Sequence, residues 1–84
     1  MALPNAAVTL TVEQIDQLNR KLSDMRHDVN NHLSLLVAAA EIVKLQPQMA
    51  ERMSATFQGQ PPRIAEEIRK FSSEWEAMMG ITRP

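Results

Sequence analysis

Two histidines, one aspartate and two asparagines lie together in the stretch MRHDVNNHL, residues 25–33. An exposed imidazole is largely neutral near pH 7, so one of its ring nitrogens can attack an electrophile such as phosphorus. Beside His27, Asp28 can orient the ring or take up its proton. Asn31 lies one helical turn further on and can hold the ring or phosphoryl oxygens. The residue types and their spacing therefore indicate a nucleophilic histidine at position 27.

Three other interpretations of this cluster stay open. As a metal site it is weak, because His27 and His32 would lie about 140° apart around a helix, whereas helical metal ligands are spaced three or four residues apart. A hydrolase triad through Ser23 is weaker still, since no sharp turn presents that serine. His27 could also be a plain solvated residue, the usual state of an exposed polar side chain.

A long helix must position this cluster. Thr11 and Gln14 form a capping-box pattern, and Glu13 falls in the first turn, where a negative charge is favourable. Pro47 ends the helix, because the residue before a proline is pushed out of the helical region. Apolar residues recur in steps of three and four, with one shift near residues 29–33: Ile15, Leu18, Leu22, Met25, Val29, Leu33, Leu36, Ala40 and Val43. This heptad pattern predicts one helix over about 12–45.

A second apolar series predicts another helical arm over about 47–79. Its members are Met49, Met53, Phe57, Ile64, Ile68, Phe71, Trp75 and Met78, and Gly80 is a suitable C-terminal cap. The segment QGQPPR interrupts it, since each proline in a helix interior costs about 3 kcal/mol. We expect a kink or break near 58–62, with a true turn and three helices as the alternative. Ion pairs four residues apart are expected at Arg63–Glu67 and Glu66–Lys70.

The two arms predict an all-α antiparallel hairpin over residues 11–80, between an N-terminal tail at 1–10 and a C-terminal tail at 81–84. A hairpin of two amphipathic helices cannot cover its own apolar seam, and a chain of 84 residues buries little surface. We therefore expect a homodimer that forms a four-helix bundle. In the heptad frame His27 points away from the seam, whereas His32 points toward it and is expected to be a hydrogen-bonded core or interface histidine.

Composition narrows the classes of function. The 84 residues include no cysteine, which rules out a disulfide scaffold and suggests an intracellular, cytoplasmic protein. The net charge is −1 without a run of lysine or arginine, so we expect no nucleic-acid partner. The N-terminal stretch MALPNAAVTL resembles neither a signal peptide nor a membrane span, so no membrane association is expected.

The segment RHDVNNHLSLLVAAAEIV, residues 26–43, resembles the H-box of bacterial sensor histidine kinases. That motif lies in the dimerisation and histidine-phosphotransfer domain, and its H-D-x-x-N variant matches His27, Asp28 and Asn31. The resemblance covers about residues 12–79 and implies a dimeric four-helix bundle. It implies that His27 accepts the phosphoryl group, that Asp28 assists as a base, and that Asn31 supports transfer or dephosphorylation. Arg26 would contact phosphate or an acidic partner, or else be a plain solvated charge.

This resemblance implies a histidine phosphotransfer protein of two-component signalling. Its partners would be a second copy of the chain and a response-regulator receiver domain, a separate histidine kinase, or both. No ATP-binding domain or glycine-rich loop follows the bundle, so we do not expect kinase activity from this chain alone. We expect no cofactor or metal of its own, with Mg²⁺ supplied by the receiver. The alternative is a non-catalytic dimeric module that docks on a kinase or response regulator and regulates it.

Overall fold

The computed structural model describes residues 2–4 and 6–81. Helix α1 spans Val12–Leu45, a 3₁₀ turn spans Pro47–Met49, and helix α2 spans Ala50–Met79. The short turn makes the two helices antiparallel, which confirms the predicted all-α hairpin. Parts of both predicted tails lie outside the described residues, namely positions 1 and 5 at the N-terminus and 82–84 at the C-terminus.

Local signals set the ends of both helices. The Thr11 hydroxyl accepts a hydrogen bond from the Gln14 backbone N–H at 3.1 Å, and the Gln14 side chain accepts one from the Thr11 N–H at 2.8 Å. This capping box satisfies two of the N–H groups that a helix leaves unpaired at its start. Gly80 closes α2 with φ of 69°, a left-handed conformation that glycine adopts without steric cost.

The seam of α1 is an unbroken heptad, so the shift predicted near residues 29–33 is wrong. The residues that turn toward α2 follow steps of four and three without exception: Leu18, Leu22, Met25, Val29, His32, Leu36, Ala39 and Val43. His32 and Ala39 take the seam positions that the apolar pattern gave to Leu33 and Ala40, both of which are exposed. At the first position a polar residue therefore takes the place of an apolar one, and at the second one alanine takes the place of another.

Helix α2 continues through both prolines, so neither the predicted break nor the turn that would give three helices is present. Pro61 and Pro62 lie inside the helix. Without N–H groups they leave the carbonyls of Phe57 and Gln58 without their usual helical donors. The phase shift lies here instead of in α1: Met53, Thr56, Gln60, Ile64, Glu67 and Phe71 turn inward, with two consecutive steps of four around Gln60.

The hairpin has almost no closed core. Within the described residues only Leu18 and Ala39 are buried, with 6% and 3% of their surface exposed. The chain exposes 6390 Å², whereas a compact protein of this length exposes about 5,000 Å². Several large apolar side chains remain open to solvent, among them Ile15, Leu33, Phe57, Ile68 and Trp75. No helix in the described part of the chain has a stretch long and apolar enough to cross a lipid bilayer.

The two flanks of the α1–α2 seam differ in character. One flank is an apolar groove lined by Leu10, Ile15, Leu18, Asn19, Leu22, Phe71, Trp75 and Met79. Helical geometry places Lys21, Asp24 and Asp28 on the opposite side of the Leu18–Met25 row. There they line a charged groove together with Met25, Glu67, Lys70, Phe71 and Glu74. We call these the apolar groove and the charged groove.

Candidate functional site

His27 lies in the middle of α1 on the face opposite the seam, and its side chain is exposed. Asn31, also exposed, lies one turn further on, and its amide Nδ2 is 3.4 Å from His27 Nε2. An amide nitrogen can only donate, so in this contact Nε2 carries the lone pair and the neutral ring holds its proton on Nδ1. The helix thus presents the basic nitrogen of His27 beside a hydrogen-bond donor.

Asp28 differs from its two neighbours in the motif. It is half-buried and lines the charged groove with Lys21, Asp24 and Lys70. Adjacent helical residues point about 100° apart, so Asp28 faces α2 while His27 faces outward. The structure gives no hydrogen bond between Asp28 and His27. The site therefore consists of a close His27–Asn31 pair with a carboxylate on the flank of the helix. Arg26 is exposed on the other flank.

His32 is joined to α2 instead of taking part in the exposed pair. Its Nδ1 is 2.6 Å from Oε1 of Gln60, and both side chains are half-buried at the seam. Oε1 can only accept, so Nδ1 carries the proton that is donated. This confirms the predicted hydrogen-bonded core histidine. Sequence reasoning missed Gln60, because the predicted seam placed Phe57 inward, whereas Phe57 is exposed and the inward positions are Thr56 and Gln60.

Charged side chains of α2 pair at different spacings from those predicted. The bidentate pair is Arg69–Glu66, with Nε–Oε2 at 2.8 Å and Nη2–Oε1 at 2.6 Å, and Lys70 Nζ is 3.2 Å from Glu67 Oε1. Both pairs are three residues apart, not four as in the predicted Arg63–Glu67 and Glu66–Lys70 pairs. The hydrogen bond from Arg69 lowers the pKa of Glu66 below its ordinary value.

An ion pair between Lys21 and Glu74 joins the two helices at the charged groove. Lys21 Nζ on α1 is 3.0 Å from Glu74 Oε2 on α2, and both side chains keep a third or more of their surface exposed. Together with the Glu67–Lys70 pair, it engages both lysines of the groove. Of the four carboxylates that line this groove, Asp24 and Asp28 have no cationic partner within the described residues. The groove beside the histidine therefore carries a net negative charge.

The positions of the described histidine and carboxylate side chains do not support a metal site. No cluster of three or more histidine, cysteine, aspartate or glutamate side chains within the described residues could hold a metal ion. His27 and His32 point to different faces of α1, which removes the metal site considered for that pair. The arrangement can offer one nucleophilic nitrogen and one amide donor to a reactant that approaches from solvent.

Comparison with known proteins identifies no relative: no protein-family model matches the chain, and neither does any curated protein or solved structure.

Proposed function

We propose that this chain is a histidine phosphotransfer protein of a two-component pathway, with His27 as the phosphoacceptor. The observation that carries the proposal is the exposed, mid-helix His27 with the Asn31 amide 3.4 Å from Nε2. A rigid helix holds the nucleophile at a fixed angle to an incoming partner, which is the positioning that phosphoryl transfer requires. The resemblance of residues 26–43 to the H-box supports the same assignment.

The proposed step is an in-line displacement. The Nε2 lone pair attacks the phosphorus of an aspartyl phosphate on a receiver domain, the bond from phosphorus to the carboxylate oxygen breaks, and the aspartate leaves as a carboxylate. The Nδ1 proton passes to water or to a nearby base such as Asp28, and Asn31 donates to a phosphoryl oxygen. The receiver supplies Mg²⁺, and Arg26 contacts the phosphoryl group or an acidic partner. Transfer to a second receiver reverses these steps.

The proposal includes a homodimer that forms a four-helix bundle through the apolar groove. The exposed area exceeds that of a compact chain of this length by about 1,300 Å², and each partner in a stable interface buries about 800 Å² or more. Ile15, Leu22 and Trp75 line or border this groove, whereas the opposite flank is charged. A dimer on the apolar flank leaves both copies of His27 facing solvent.

The experiment is phosphoryl transfer from a panel of phosphorylated receiver domains and histidine kinases to the purified chain. We expect an acid-labile, alkali-stable label on the wild type and none on His27→Gln. The matched control is His32→Gln, which removes the other histidine and should keep the label if the helix content is unchanged. Label that survives in His27→Gln, or is lost only in His32→Gln, would refute the assignment of His27.

A second function is a non-catalytic module that docks on a kinase or response regulator. It is favoured by the position of Asp28, which lies in the charged groove and makes no contact with His27 that would activate the ring. In that case the groove itself binds a cationic partner surface. No label from any donor, with partner binding unchanged in His27→Gln and weakened in Asp28→Asn, would support docking over phosphotransfer.

A further inference from the structure

The middle of α2 departs from ordinary helix chemistry more than any other described segment. Gly59, Pro61 and Pro62 occur within four residues, all inside a helix that continues for more than a dozen residues beyond them. Two backbone carbonyls lose their helical donors here, and glycine adds the most conformational freedom of any residue. A helix weakened at one point and intact on both sides bends there first.

The packing of α2 against α1 changes at the same point. The row of α1 that faces α2 keeps a strict heptad through His32. The facing row of α2 takes one step of four residues before Gln60 and another after it. The two halves of α2 therefore meet α1 with different rotational phase. The halves of α2 therefore pack as two segments, residues 50–58 against the loop end of α1 and residues 63–79 against its N-terminal half.

A polar contact lies at the junction of the two segments. The His32–Gln60 hydrogen bond, at 2.6 Å, joins α1 to α2 one residue before the first proline. Next to it is a groove lined by His32, Pro62, Arg63, Glu66 and Glu67. Any bend at the prolines changes this groove and moves its charged side chains relative to the α1 stretch that carries His27 and Asp28.

We propose that residues 59–62 are a hinge, at which the segment 63–79 swings relative to the segment 50–58, and that the His32–Gln60 bond holds the straight form. The proposal does not depend on phosphotransfer, because it rests on the prolines, the phase shift and the interhelical bond. Its consequence for the site is that the surface offered beside His27 has two arrangements, and a partner or modification that favours one of them shifts their populations.

The hinge is tested by distances between pairs of spin labels, which the chain permits because it has no native cysteine. Gln17→Cys and Ser73→Cys report on the swinging segment, since Ser73 lies about 18 Å beyond the prolines and a kink of about 20° displaces it by about 6 Å. Glu41→Cys and Ala55→Cys form the control pair on the loop side. Labelled chains are diluted into unlabelled protein so that only distances within one chain are measured.

We expect a broad or two-component distribution for the Gln17–Ser73 pair and a narrow one for the control pair. Pro61→Ala with Pro62→Ala should collapse the first distribution to a single narrow component. Gln60→Leu, which removes the acceptor and keeps the size, should shift it toward the displaced component. A wild-type distribution as narrow as that of the double alanine variant would overturn the hinge. An unchanged distribution in Gln60→Leu, with helix content retained, would overturn the role of the hydrogen bond.

Discussion

The two glycines of this chain are predicted to respond to alanine in opposite directions. Gly59 lies inside α2 with ordinary helical φ, and a Cβ added there meets no atom within 4 Å. Alanine loses less backbone entropy than glycine on folding and is the better helix former by about 1 kcal/mol. Gly59→Ala should therefore raise the free energy of unfolding by about 1 kcal/mol, without any steric penalty to offset the gain.

Gly80 is the matched control, because it is equally free of neighbours and differs in its backbone. Its φ of 69° lies in the left-handed region, and a Cβ there also meets no atom within 4 Å. An L side chain in that region costs about 1 kcal/mol or more. Gly80→Ala should therefore destabilise the protein by about 1 kcal/mol, although open space surrounds both positions.

The assay is reversible thermal and urea unfolding of both variants, followed by circular dichroism at one fixed protein concentration. For a domain of this size, 1 kcal/mol corresponds to a shift of about 4–8 °C in Tm. Holding the concentration constant matters because any association adds to the apparent stability. If Gly59→Ala lowered Tm, the continuous helical backbone through residue 59 would be refuted. If Gly80→Ala raised Tm, the left-handed conformation of Gly80 would be refuted.

Three further predictions follow from single contacts. Leu18→Ala should lower the free energy of unfolding by about 2–3 kcal/mol, which is the low end for a buried leucine because Leu18 borders an open groove. Leu33→Ala should lower it by less than half as much in dilute protein, and urea unfolding of both variants measures the difference. Thr11→Ala should remove the capping box and cost about 1 kcal/mol, measured as a loss of Tm. Arg69→Gln should raise the pKa of Glu66 toward its ordinary value of 4.5, as seen by NMR titration of its side chain. Because the folded pKa is lowered, the contribution of this pair is present above the unfolded pKa and lost as pH falls through the folded value.

Helix ends were predictable because they depend on a few neighbouring residues. Thr11 with Gln14, Pro47 and Gly80 each act within one turn, and both predicted arms match the helices. The interior of α2 was not predictable on the same basis. Local propensity places a break at Pro61 and Pro62, but packing of the flanking apolar residues against α1 carries the helix through.

The choice of residues in the seam could not be read from hydrophobicity either. Leu33 is a better apolar candidate than His32, but position 32 continues the heptad and finds a hydrogen-bond partner on the other helix. That partner, Gln60, is distant in sequence, so the residues near His32 do not predict this hydrogen bond. The outward direction of His27 was predictable because it follows from the helix period alone, whereas the groove position of Asp28 depends on where α2 lies.

The mismatch in repeat between the two helices also determines how they wind around each other. A strict heptad, as in the seam of α1, favours a left-handed supercoil. The row from Met53 to Ile64 in α2 instead spans an 11-residue repeat, which favours a slightly right-handed one. The two tendencies oppose each other beside His32, so we expect little supercoiling of the two helices there. A row of residues spaced seven apart drifts by about 20° per heptad on a straight helix, so without a supercoil the outward row of α1, which contains His27, Ser34 and Glu41, turns gradually around the helix.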